Sequence, residues 1–129
     1  MSWDGKDRRR FPRAPILCNI IVYSPYKIFN SYTEDIGEGG TRIVLKEGLP
    51  LRTMVSLKII FDKDTITRCK GRVAWTTKKM NVVKKQHYQD DKQPACLFST
   101  GIEFTQIDSQ EKQHIRELVD IILNQSQKN

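Results

Sequence analysis

Acidic residues are missing from a long stretch of this sequence. Between Thr65 and Gln89 there is no Asp or Glu, while Arg68, Lys70, Arg72, Lys78, Lys79, Lys84 and Lys85 all fall there. That block matches in charge the formal net of +7 for the whole 129-residue chain. It reads either as a solvated strand face and loop or as one side of an anion site, since a basic surface favours nucleotides, nucleic acid or acidic headgroups. Cysteine is scarce: Cys18, Cys69 and Cys96 are odd in number, widely spaced and in no CxxC. That excludes a disulfide framework and leaves reduced, partly buried thiols. No apolar run approaches the roughly 18 residues of a membrane span. The N-terminus is charged from Asp4 onward, unlike a secretory signal. The expectation is a soluble, cytoplasmic chain.

Catalytic signatures are also lacking. His87 and His114 stand far apart with no companion at metal-ligand spacing, and both read as structural or exposed, His114 near the polar face of a helix. The pair Asp90-Asp91 sits in a polar loop. There is no nucleophile elbow, Walker loop or HExxH. Neither enzyme, metal site nor cofactor is expected. Aromatics are 9% of residues and fall mostly at strand positions suited to a core, which counts against a barrel that stacks bases.

What is present is β-rich. Residues 16–24 (ILCNIIVYS) and 40–46 (GTRIVLK) have strand composition, and residues 55–61 place Val55, Leu57, Ile59 and Phe61 on one face with period two. EGLP at 47–50 marks a turn. TITRCKGRVAW at 65–75 predicts a long strand with a bulge or close approach at Gly71. Residues 76–94 are polar and basic and include a loop, and residues 95–104 close the β run. Asp108 to Glu111 (DSQE) has the form of a capping box before Ile115, Leu118, Val119 and Ile122, an amphipathic helical stripe. Strands in series followed by one helix suggest a small antiparallel barrel or sandwich with a helix packed on it. There is no internal repeat and no linker that divides the chain.

Two short segments carry chemistry. DRRRFPRAP, residues 7–15, gathers Arg8, Arg9, Arg10 and Arg13 around Phe11 and Pro12. A solvated tail explains a charge run, but not an arginine-only run with a fixed spacing and a rigid Phe-Pro inside it. EDIGEGGTRI, residues 34–43, has glycines at 37, 39 and 40, which suits a tight turn where backbone approaches something closely. Asp35 just before it is an acceptor for a donor edge such as that of guanine; alternatively it bonds its own backbone in a plain hairpin.

Taken together, RRxxxR at Arg8, Arg9 and Arg13, the DxSxxG-like Asp35-Ile36-Gly37-Glu38-Gly39-Gly40, GRVAW at 71–75 and GIEF at 101–104 resemble the PilZ domain, a bacterial receptor module for cyclic di-GMP. The resemblance spans about residues 8 to 123. It implies a mainly β fold, a six-stranded antiparallel PilZ-like β-barrel with a C-terminal α-helix. The implied parts are an arginine-rich flexible arm over residues 1–14, a single barrel domain with its helix over 15–124, and a tail over 125–129. The implied ligand residues are Arg8, Arg9, Arg13, Asp35, Gly37 and Gly40, with cyclic di-GMP as ligand and an unidentified protein effector as partner.

Gly37 departs from the pattern, because the family has serine there. A neutral hydrogen bond is worth about 0.5–1.5 kcal/mol, so its loss implies binding weakened about tenfold or less, and a serine at 37 is expected to restore it. Some PilZ-like domains with incomplete motifs act as protein adaptors without nucleotide. The readings carried forward are a cyclic di-GMP receptor acting on a protein partner, a degenerate adaptor that binds no nucleotide, and a small basic barrel that binds nucleic acid.

Overall fold

The computed structural model describes residues 12–79 and 96–127. Seven strands precede one helix: β1 (Arg13–Ala14), β2 (Asn19–Tyr23), β3 (Ile28–Gly37), β4 (Gly40–Leu45), β5 (Met54–Asp62), β6 (Thr65–Lys79), β7 (Leu97–Gln106) and α1 (Ser109–Gln127). Every pairing is antiparallel. The order β3-β2-β5-β6-β7-β4 returns to β3, so six strands close into a barrel, and β1 adds to the edge of β3 beyond β2. Closure removes the free sheet edges that an open sheet of this size would present.

Period-two alternation builds the interior. Ile20 and Val22 from β2, Val55, Leu57 and Ile59 from β5, and Cys69 and Val73 from β6 point inward with Ile43, Leu45 and Ile102. Phe61, expected on the same face as Val55, is half-buried and packs its ring on His114, centroids 5.5 Å apart. His114 is therefore a packing residue at the helix–barrel boundary. Gly71 lies where the β6–β7 register shifts, and a Cβ there would crowd Ile102 and the Glu103 carbonyl, so the expected close approach is present.

β3 has no counterpart in the sequence reading. Its residues Asn30, Ser31, Thr33, Glu34 and Asp35 dilute the apolar alternation that marks a strand. Two of these polar side chains, Ser31 and Thr33, are satisfied by backbone within the barrel wall. Ser31 Oγ donates to the Val44 carbonyl. Thr33, fully buried, donates to the Ile16 carbonyl (2.7 Å) and accepts from the Cys18 N–H (2.9 Å). These bonds hold the turn that carries the chain from β1 into β2.

The helix begins at Asp108, whose carboxylate accepts the Gln110 N–H (3.2 Å). The other half of the expected capping box is not made. Glu111 instead accepts the backbone N–H of Arg68 (3.1 Å), which pins the first helical turn to β6. Ile115 and Val119 enter the core. Each such burial stabilises by about 1.5–3 kcal/mol. Leu118, on the same predicted stripe, is only half-buried. β1 takes Arg13 and Ala14 into the sheet, and the helix continues through Gln127. No helix among the described residues is long and apolar enough to cross a membrane.

Candidate functional site

The hairpin from β3 to β4 places Gly37 opposite Gly40, with Glu38 and Gly39 at the turn. Two residues of β1 lie against it, Arg13 opposite Gly37 and Ala14 opposite Ile36. Gly37 is required by that contact. A Cβ there would fall closer than 3.0 Å to both the Pro12 carbonyl oxygen and Arg13 Cγ. No described glycine has a positive φ, so the requirement is space rather than a left-handed backbone. This corrects the expectation that a serine at 37 would simply restore a hydroxyl: backbone already occupies the space a side chain needs. Gly40 is similar, with the Ile102 carbonyl and the Arg13 guanidinium over it.

Asp35 faces two guanidinium groups. Arg13 Nη1 donates to its Oδ1 at 3.3 Å, and Arg42 Nε lies 3.5 Å from its Oδ2. The pair with Arg13 is largely shielded from water. Arg42 Nε is also 3.2 Å from Glu34, and Glu34 receives Lys79 Nζ at 3.2 Å. The side chain of Asp35 thus bonds charged partners and not its own backbone; its backbone carbonyl accepts the Thr41 hydroxyl at 2.6 Å.

A bulge aims Asp35. The β3–β4 register shifts between Thr33 and Asp35, so Thr33 opposes the core residue Ile43 while Asp35 opposes Arg42. The extra residue, Glu34, turns Asp35 from the inner face to the face of Arg42. A second bulge does the same in β6. Thr67, Cys69, Gly71 and Val73 point inward at every other position, which would bury Trp75 as well. The register shift between Val73 and Trp75 puts Trp75 opposite Gly101, its indole lying across that glycine. Trp75 is 39% exposed.

Trp75 and Arg13 line one cleft of about 760 Å³, with Glu38, Gly39, Gly101 and Lys112. Glu38 at the hairpin tip is nearly buried and accepts from Arg116 of α1 through Nε (2.9 Å) and Nη2 (3.2 Å). That bond raises the Arg116 pKa and ties the hairpin to the helix.

Of the expected ligand residues, Arg13, Asp35, Gly37 and Gly40 meet at this hairpin, whereas Arg8 and Arg9 lie outside the described residues. Arg42, Trp75, Glu38 and Arg116 were not singled out. Three of them lay inside quoted segments, Trp75 in GRVAW and Glu38 and Arg42 in EDIGEGGTRI, whereas Arg116 carried no signal. The expectation that aromatics occupy the core fails for Tyr23, Tyr26, Tyr32 and Trp75, which are all exposed. Among the described residues, no group of three His, Cys, Asp or Glu side chains could hold a metal ion.

A closed six-stranded barrel with a glycine hairpin, an arginine strand laid on it and a C-terminal helix defines a class of small β-barrel domain. The PilZ domain model matches residues 7–120, and the chain belongs to that family. No curated protein sequence matches the chain. Among solved structures it is similar to the PilZ domain with c-di-GMP of YcgR from Escherichia coli, with a TM-score of 0.68 and 8% identity over 94% of this chain and 95% of that one. It is also similar to the Bacillus subtilis inhibitor of motility MotI/DgrA, with a TM-score of 0.66 and 16% identity over 95% of this chain. This chain spans about half of that protein, 53% of its length. At these identities the likeness is one of fold.

Proposed function

We propose that this PilZ domain is a receptor for cyclic di-GMP that acts on a protein partner and catalyses nothing itself. The observation that carries the reading is the meeting of Arg13 and Asp35 over Gly37 and Gly40, 22 residues apart in sequence. These are the positions at which the family signature recognises its ligand, and the E. coli domain of like fold was solved with that nucleotide. Arg13 supplies a fork for phosphate or guanine N7 and O6, Asp35 an acceptor for the guanine donor edge, and Trp75 a ring beside them. Arg8 and Arg9, on the preceding arm, add charge. Asp35 holds Arg13; ligand would exchange that ion pair for its own contacts, and Arg42 remains to balance Asp35.

The adaptor reading has one specific support: where the signature places a serine hydroxyl, the Pro12 carbonyl and Arg13 side chain fill the space. Calorimetric titration with cyclic di-GMP separates the two. Cyclic di-AMP, which has the same phosphates without the guanine donor edge, and a short oligonucleotide serve as controls. Saturable heat with cyclic di-GMP alone, lost in Arg13→Ala, supports the receptor. Silence at high micromolar ligand leaves the adaptor.

A further inference from the structure

Part of the acid-free stretch of the sequence, Arg68 to Lys70, lines a groove on the barrel wall together with residues of β2 and β5. On the outer face of the barrel the register places residues in rows across strands. Tyr23 opposes Ser56, Ser56 opposes Lys70, and Lys70 opposes Gln106. In the next row Lys58 opposes Arg68. The two rows, with the start of α1 at Ile107 and Asp108, line a groove of about 480 Å³.

Like charges directly opposite on neighbouring strands, about 4.5–5.5 Å apart at Cβ, destabilise a sheet. Nearby Arg72 is relieved by Glu103 at 2.8 Å. Among the described residues no ion pair includes Lys58, Arg68 or Lys70. Of the nearby carboxylates, Asp108 lines the groove and caps the helix, and Glu111 accepts the Arg68 backbone N–H; neither forms an ion pair with Lys58, Arg68 or Lys70. Three cations without an ion-pair partner among the described residues therefore stand together beside the half-exposed ring of Tyr23, outnumbering the two nearby carboxylates. A solvated face explains one such cation; it does not explain two placed opposite each other on paired strands with a third alongside.

We infer that this groove binds a nucleoside di- or triphosphate, with phosphoryl groups on Lys58, Arg68 and Lys70 and the base against Tyr23. The volume suits one nucleotide rather than a strand of them, and lies in the range of small-ligand pockets. Bound phosphate would remove the repulsion that the free protein carries between Lys58 and Arg68.

Lys58→Glu tests both halves of the argument in the full chain. It exchanges the opposed cations for a cross-strand pair of opposite sign, so the melting temperature of the unliganded protein rises while binding of GTP and ATP falls about tenfold or more. Inorganic triphosphate binds wild type and is lost in Arg68→Ala. Tyr23→Ala weakens GTP but leaves inorganic triphosphate unchanged. Arg13→Ala leaves all three probes unchanged, which keeps this groove distinct from the hairpin site whether or not cyclic di-GMP binds there. The proposal is overturned by a lower melting temperature in Lys58→Glu, by the absence of saturable binding of all three probes at millimolar concentration, or by oligothymidylate binding more tightly than GTP through the same residues, which would make the face a nucleic-acid surface.

Discussion

Replacing Gly37 with serine sets two physical arguments against each other. From the signature alone, the added hydroxyl gains a hydrogen bond of about 0.5–1.5 kcal/mol to ligand. In the structure, the added Cβ meets the Pro12 carbonyl and Arg13 Cγ closer than 3.0 Å. The carbonyl is backbone and cannot rotate away, so the arm must lift off β3. Overpacking of this kind costs about 1–3 kcal/mol. Lifting the arm also breaks the register of Arg13 with Gly37 and lengthens the Arg13–Asp35 pair, now 3.3 Å. The cost exceeds the gain. Gly37→Ser is therefore expected to lower the melting temperature by roughly 4–12 °C, taking about 4 °C per kcal/mol for a chain of this size, and to weaken cyclic di-GMP binding. Gly37→Ala should do the same, because it carries the Cβ without the hydroxyl. Melting curves and calorimetric titrations of the three proteins decide the matter. A Gly37→Ser protein that melts like wild type and binds more tightly would refute the packing argument and return the hydroxyl to first place.

Ile115→Ala should cost about 2–5 kcal/mol, because the side chain is fully buried under α1, and Leu118→Ala clearly less; denaturant melts compare them. Arg13→Ala should reduce both ligand affinity and stability, since Arg13 joins the sheet and neutralises Asp35, whereas Arg42→Ala should leave the β1–β3 contact intact; the two are compared by calorimetry and thermal melts. Of the thiols, exposed Cys96 should react first with Ellman's reagent in native protein, while Cys18 and Cys69 wait for unfolding. Burial pushes the Cys69 thiol up to about 12, above its ordinary 9.0. The unfolded chain therefore loses that proton first, and stability is full below pH 9 and falls as pH rises from there toward 12, which denaturant titrations across pH 8–11 will show.

Much of this molecule follows from local pattern. Alternation in residues 55–61 and 65–73 fixes β5 and β6, because inward positions must be apolar or small and turns must interrupt them. Asp108 and the stripe through Ile115 and Val119 fix α1 for the same local reasons. The charge of the 65–79 segment is likewise plain from composition.

Tertiary structure decided what those residues face. β3 closes the barrel although its own sequence is polar, because Thr33 and Ser31 find carbonyls only after distant strands arrive. Two bulges set the site. Counting by twos assigns Trp75 to the core and Asp35 to the side of Thr33, and one unpaired residue in each strand reverses both. Whether a ladder slips depends on its partner strand, which lies far away in the chain. Gly37 read as a lost hydroxyl for the same reason: only the arm folded back onto β3 reveals that the position has no room for a side chain. Sequence supplied the charges at Lys58, Arg68 and Lys70; the β5–β6 register alone made two of them oppose each other.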